Sequence, residues 1–370
     1  MKSTFKQQLT ALGAAGVMAF GPGMALADDP VNIQMTTTWP EGINLIEADK
    51  HFVDLVNRLG EGSINIDFFP GNTIVPSTQV FDAVRSGATQ AAADWPGYWA
   101  GANTAFSLLG SFPMLFTAQD YVLWINEWGG AEMFDEAYGL YNIKYLPYSI
   151  ISTESGLRST KPLASLDDLE GKRLRMSGRA QGAILAELGG AQVMLPGSEV
   201  YQSLERGVVD AAEFSSPSTD YGMGFQEVTQ HWSAPGWHQP GSAAGVMIAQ
   251  DVWDGLSEKQ KFIMQTAAQA TMTWSIGYYE RTSAEATKAF TEAGVKVSTL
   301  SAEDMTRLQA MANANLVTEA CENPLFAKIT VSKLEYMKEY EQWREMQGEF
   351  AQGRNLSVFP DLEAIRACAE

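Results

Sequence analysis

What the chain has little of narrows its function before anything else does. Its 370 residues include only two cysteines and three histidines. No HExxH or CxxC spacing gathers them, so neither a zinc hydrolase nor a cysteine-held metal cluster is expected. Basic residues are scarce as well. Lys and Arg number 25 against 44 Asp and Glu, whereas a face that grips a phosphate backbone needs the opposite imbalance, so no nucleic-acid partner is expected. A Gly-x-Ser-x-Gly elbow, a phosphate-cradling loop and a dinucleotide fingerprint are all missing, which argues against an enzyme and against an organic cofactor. Membrane-spanning runs are missing too. The longest apolar stretch, Leu9 to Phe20, falls short of the ~20 residues that a bilayer requires.

That short stretch has a different meaning in its setting. Lys2 and Lys6 precede it and Ala25-Leu26-Ala27 follows it, the arrangement of a cleaved export signal over residues 1–27. With no twin-arginine pair, the general secretory route and a periplasmic destination are expected. In an oxidising compartment Cys321 and Cys368 could pair and tie down the C-terminal tail, but sequence cannot supply the distance that decides it.

What is present is enough apolar material for two cores: 45% of residues are hydrophobic and 19% charged, a globular balance. Val31 to Met35 is strand-like, Ile43 to Leu59 repeats apolar residues at helical spacing, Ser63 to Phe69 alternates, Ser77 to Ser86 is helical, and Gln90 to Trp95 reads as a third strand. The second half repeats the alternation. Lys172 to Met176, Ala191 to Leu195 and Asp210 to Phe214 are strand-like, separated by helical Ala180 to Leu188 and Ser198 to Arg206. Such alternation implies α/β lobes whose ligands bind beyond the carboxyl ends of the strands. The expected division is lobe I over 28–150, lobe II over 151–255, and a mostly helical segment over 256–370 that buttresses both. Ile143 to Ile151 is a candidate hinge strand, and the helix Ser332 to Phe350 could pack on its own body or on a second subunit.

Particular motifs sharpen the reading. Leu166-Asp167-Asp168-Leu169-Glu170-Gly171-Lys172-Arg173-Leu174-Arg175, followed by Leu188-Gly189-Gly190-Ala191 and then by Pro196-Gly197-Ser198-Glu199-Val200-Tyr201 through Leu204-Glu205-Arg206-Gly207-Val208-Val209-Asp210-Ala211-Ala212-Glu213, resembles the solute receptors of tripartite ATP-independent periplasmic (TRAP) transporters. Phe69-Pro70-Gly71, Val80 to Gly87, Phe112-Pro113 and Trp128-Gly129-Gly130 extend the resemblance into the first half. Glu213 with its following aromatic, Tyr221 to Phe225, and Pro235-Gly236-Trp237-His238-Gln239-Pro240-Gly241 are similar to the branch that binds 2-oxo or 2-hydroxy monocarboxylates with a cation. Phe214 stands where that branch commonly has Trp, and Gln239 where it commonly has Glu. The resemblance implies a two-lobed periplasmic binding protein fold with a hinged ligand cleft and long C-terminal helices. It also implies a small organic acid as ligand, a TRAP membrane permease as partner, and no catalysis.

Candidate residues follow. Arg175 ends a strand, and its guanidinium offers the paired donors that fit a carboxylate; the alternative is a surface arginine beside Lys172 and Arg173. Arg158 is a second candidate anchor, of the kind a C4-dicarboxylate or sugar acid would use. Glu213 closes a strand after two alanines, where a buried carboxylate needs a cation or an arginine to answer it. By resemblance it coordinates Na+ or Ca2+ together with the Phe214 main-chain carbonyl, Gln239 and Glu154. Tyr98 can donate its hydroxyl to a carboxylate while its ring walls a pocket, although core packing would serve Tyr98 and its neighbour Trp99 equally. Phe214 and Trp237 are the expected apolar walls, and His231 and His238 are read as structural or surface residues. A secreted enzyme and a sensory partner are the other function classes left open.

Overall fold

The structure is a computed structural model and describes residues 29–348; the export signal at 1–27 and Cys368 lie outside them. Strand β1 (Val31–Thr37) sends Ile33 and Met35 into the core, and the helix Ile46–Gly60 buries Phe52 and Val56 before β2 (Ile64–Phe68) pairs parallel with β1. On the other side of β1 runs β3 (Ala91–Asp94), also parallel. Its alanines alternate between two apolar clusters, Ala92 in one and Ala91 and Ala93 in the other, so the strand is covered on both faces. β4 (Ile143–Ile151) lies at the sheet's edge, where Pro147 costs no ladder hydrogen bond.

From β4 the chain enters a second sheet built from β5 (Leu157–Ser159), β6 (Arg173–Arg175), β7 (Ala191–Val193), β8 (Ala211–Ala212) and β9 (His231–Ala234). It then crosses back. β10 (Ser242–Ala249) inserts antiparallel between β3 and β4, giving the first sheet the order β2-β1-β3-β10-β4. At the register shift in this pairing a Cβ on Gly245 would lie 2.3 Å from the Leu146 carbonyl oxygen, so only glycine lets the strands close. β11 (Lys296–Thr299) adds to the second sheet beside β9, for an order β11-β9-β5-β8-β6-β7.

These crossings correct the expected boundaries. Residues 242–249 belong with the first lobe and not with 151–255, and the segment after 256 contributes a strand to the second lobe. The physical reason is that β10 is buried along its whole length, so it shows no alternation that could tie it to either sheet.

Three long helices tie the halves together. Glu258–Glu292 starts at a Ser257/Gln260 capping box, meets the first lobe where Ser275 Oγ accepts from Ile150 N at 2.9 Å, and reaches the second lobe where Phe290 packs on Trp232. Ala302–Glu322 follows the second lobe, to which Glu319 binds Arg179 at 2.5 Å. Asn323 caps the next helix, Pro324–Gln347, which returns to the first lobe: Trp124 Nε1 donates to Ser332 Oγ at 3.0 Å and Tyr336 OH to Asp120 at 2.9 Å. Cys321 is exposed on the middle helix, and its suggested pairing with Cys368 falls outside the described residues. No helix among the described residues is long and apolar enough to cross a membrane.

Candidate functional site

The carboxyl ends of β1, β3, β6 and β8 converge on a cavity of about 480 Å³ between the lobes, where an α/β sheet normally receives its ligand. The first lobe supplies Thr38 and Trp39 just after β1, and Tyr98 and Trp99 in the turn Pro96–Trp99 after β3. The second supplies Arg175 from the last position of β6, Leu195 to Glu199 after β7, and Phe214 after β8. Trp99 is fixed from behind: its Nε1 donates to Asp94 at 2.5 Å and its ring stacks on Phe81. Phe214 can lie against the start of the helix Gly197–Glu205 only because residue 197 lacks a Cβ, which would stand 2.5 Å from the ring.

Arg175 is buried at 2% exposure, yet it lines this cavity. Its Nη1 donates to the Glu213 carbonyl at 2.7 Å and to Glu213 Oε1 at 2.8 Å, and its Nε to the Leu195 carbonyl at 3.3 Å. Among the described residues Nη2 has no partner. The complete fork expected for a ligand is therefore partly committed to the protein, and Nη2 is the donor group left over.

Behind Arg175 lies a buried polar cluster. Glu213 Oε1 also accepts from Ser177 N at 2.5 Å and Ser177 Oγ at 2.9 Å, whereas Oε2 is buried with no hydrogen-bond partner and stands 3.9 Å from His238 Nε2. The same ring nitrogen is 3.1 Å from Glu154 Oε2, and one ligand atom from each of Glu154, Glu213 and His238 falls within 4.8 Å of the others. Burial first, and then the neighbouring Glu213, hold the Glu154 carboxyl well above the usual carboxylate range. Burial pushes His238 down to about 4, so its imidazole is neutral at neutral pH. Gln239 joins through its backbone, accepting from Glu154 N at 3.1 Å. An oxygen-rich, buried set with an orphaned carboxylate oxygen suits a bound cation: two carboxylates are the donors that hard ions take.

Two expected contacts are not brought here. Arg158 is wholly interior, its Nε on Asp220 at 3.0 Å and its guanidinium 3.8 Å from the ring centres of both Trp232 and Phe290. It sits on β5, in the middle of the second sheet, and its face is covered by the long helix that carries Phe290, so it cannot reach the cavity. Trp237 meets the ring of its neighbour His238 edge-on at 5.6 Å and belongs to a core cluster with Phe112 and Leu109, outside the cavity lining. Its expected role as a pocket wall falls to Trp39.

Conversely, His238, expected as a structural or surface residue, lies in the cluster, and Trp39, outside the expected set, lines the cavity with its buried Nε1 lacking a hydrogen-bond partner. Thr38-Trp39-Pro40 follows directly on the carboxyl end of β1, a position that could have marked it. His231 lies in β9, away from the cavity lining.

Comparison with known proteins agrees on the family. The profile of bacterial extracellular solute-binding protein family 7 matches residues 35–322. A monocarboxylate 2-oxoacid-binding periplasmic protein of Nostoc is 27% identical over 314 residues, which is 85% of this chain and 83% of that one. A TRAP transporter solute-binding protein from Bordetella bronchiseptica, a mixed-occupancy dimer with copurified calcium and picolinate in one active site, superposes with a TM-score of 0.83 at 25% identity, covering 92% of this chain and 99% of that one. A TRAP periplasmic solute-binding protein from Pseudoalteromonas atlantica with bound sodium and pyruvate gives 0.78 at 25% identity, covering 86% and 97%.

Proposed function

The chain belongs to family 7 of the bacterial extracellular solute-binding proteins, and on that premise we propose that it is the periplasmic receptor of a TRAP transporter for a small 2-oxo or 2-hydroxy monocarboxylate. It captures the acid between its lobes, with a cation, and hands it to the membrane permease. The observation that carries this reading is Arg175 Nη2, which lines the cavity without a partner among the described residues while Nη1 of the same guanidinium holds Glu213, whose Oε2 is buried and unpartnered. A ligand carboxylate takes the charge-assisted bond from Nη2. A cation such as Na+ or Ca2+, held by Glu213, Glu154, the Phe214 carbonyl and Gln239, supplies positive charge for the 2-oxo or 2-hydroxy oxygen. Phe214 and Trp39 cover the aliphatic tail and keep water out, and Tyr98 adds a hydroxyl donor.

A monocarboxylate is favoured over a dicarboxylate or sugar acid because Arg175 is the one cationic side chain among the described residues that line the cavity, the expected second anchor Arg158 lying outside that lining with its Nε on Asp220. The role is that of a receptor and not a catalyst, as for the relatives named for binding and transport. Self-association is part of the reading, on the example of the Bordetella dimer.

Thermal-shift screening of the mature chain against 2-oxo acids, 2-hydroxy acids, dicarboxylates and sugar acids, each with sodium, calcium or chelator, tests this. A ligand that binds only the folded state stabilises it by about 2.7 kcal/mol at 100 times its dissociation constant. The expected outcome is a cation-dependent shift with pyruvate-like acids. Shifts confined to dicarboxylates or sugar acids would overturn the monocarboxylate assignment.

A further inference from the structure

Beside the cavity the two lobes meet through a pair of small polar side chains. Asn44 Nδ2, in the loop that follows β1, donates to Ser218 Oγ of the second lobe at 2.9 Å. Among the described residues it is the one hydrogen bond that joins residues 31–142 directly to residues 157–234. The first-lobe loop is pinned from behind by consecutive tyrosines of the long helix Glu258–Glu292: Tyr278 OH donates to Asn44 Oδ1 at 2.7 Å and Tyr279 OH to the Leu45 carbonyl at 3.3 Å. With Oδ1 facing Tyr278, the planar amide presents Nδ2 to the second lobe. Ser218 is held as firmly. It lies in the helix Pro217–Gly222, whose Asp220 accepts from Arg158 Nε at 3.0 Å and from Ser215 N at 3.2 Å. The buried Arg158, which does not reach the cavity, thus anchors the helix that presents Ser218.

Both partners adjoin residues of the cavity wall. Trp39 and Ile43 precede Asn44 in the same loop and line the cavity, and Phe214, shortly before Ser218 in the chain, lines it from the other lobe. We infer that Asn44 and Ser218 are positioning residues that latch the lobes over the bound acid and set its residence time. This rests on the reading of the cavity as the receptor's ligand site. The bond forms between two protein groups and not with the ligand, so it stabilises the closed, occupied state without being needed for the first encounter. Its loss therefore shows in dissociation and leaves association alone. The pair is only partly buried, so water satisfies both groups once the lobes part, and the effect is that of one neutral hydrogen bond, about 3- to 10-fold in rate.

Stopped-flow kinetics of the mature full-length chain, with pyruvate and calcium as the probe, test this. Asn44→Ala and Ser218→Ala should each raise the dissociation rate about 3- to 10-fold and leave the association rate within about twofold of wild type. The double variant should dissociate no faster than Asn44→Ala, because the second substitution removes a bond already lost. Unchanged dissociation, additive effects, or a loss confined to association each overturn the latch. The contact is also tested with no ligand present. Asn44→Cys with Ser218→Cys, in a chain whose Cys321 and Cys368 are replaced by serine, should be bridged by a bis-methanethiosulfonate reagent one ethylene unit long, and failure to bridge overturns the juxtaposition. In the bridged chain pyruvate release should slow and recover on reduction. A wild type that binds no pyruvate while the cysteines bridge sinks the receptor reading for that acid and upholds the contact, whereas tight pyruvate binding with unchanged release in both alanine variants sinks the latch alone.

Discussion

Two arginines in the second lobe show how one residue type serves two ends. Arg158 is stacked between Trp232 and Phe290 and paired with Asp220, a cation held wholly within the fold. Arg175 is equally buried but spends Nε and Nη1 on Leu195 and Glu213 and keeps Nη2 for the cavity. Its role depends on planarity, because one rigid group must serve the protein on one edge and the ligand on the other. Arg175→Lys keeps the charge and loses that geometry. A hydrogen bond to a charged group is worth about 1.5–3 kcal/mol, so affinity for the organic acid should fall about 10- to 100-fold. Calorimetry with the acid that wins the thermal screen measures this. Unchanged affinity would remove Arg175 from the ligand's contacts.

At the scale of elements, the site is made by strand ends and by the turns that follow them. The helix Gly197–Glu205 contributes through what its first residue lacks, since an added Cβ would meet the Phe214 ring at 2.5 Å. Gly197→Ala should therefore push the ring toward the cavity and weaken ligand binding by about tenfold, roughly one well-packed contact. Isothermal binding beside a melting curve separates the two effects: lost affinity with an intact melt is expected, and intact affinity would mean that the ring swings away from the ligand. This strand-end logic also explains what could be read in advance. Arg175, Tyr98 and Phe214 follow or close strands with clear patterning, and the structure brings all three to one cavity. Arg158 also lies on a strand, but which face of a three-residue strand is covered depends on a helix more than 100 residues later, and no local period reports that. His238 was hidden for a similar reason. It sits in a turn rich in Pro, Gly and Trp, and its partners come from distant segments, Glu154 from the crossing between β4 and β5 and Glu213 from the end of β8.

For the molecule as a whole, the first lobe carries an electrostatic load remote from the cation cluster. Asp49 and Asp94 are both at 0% exposure, and each has one carboxylate oxygen bound by a tyrosine, Tyr148 at 2.6 Å and Tyr138 at 2.8 Å, and the other left without a partner. Burial is the main cause that pushes each up from 3.8 to about 7. The folded chain thus holds protons on these groups that the unfolded chain has released between about pH 4 and pH 7. Stability from this source is greatest at and below pH 4, declines as pH rises through that window, and levels off above it. His238 works in the opposite sense, because its ring, pushed down to about 4, stays neutral in the folded state while the unfolded ring charges below 6.5. The comparison is therefore best made above that range, between pH 6.5 and pH 8.5, with chelator present so that no bound cation contributes. Urea unfolding should give a lower stability at the higher pH, by an amount on the order of 1 kcal/mol, since a shift of one pKa unit is worth about 1.4 kcal/mol. In the double variant Asp49→Asn, Asp94→Asn the slope should flatten, because an amide keeps the tyrosine contacts and cannot ionise. A slope that persists unchanged in that variant would place the pH dependence elsewhere, in Glu154 and the cation cluster.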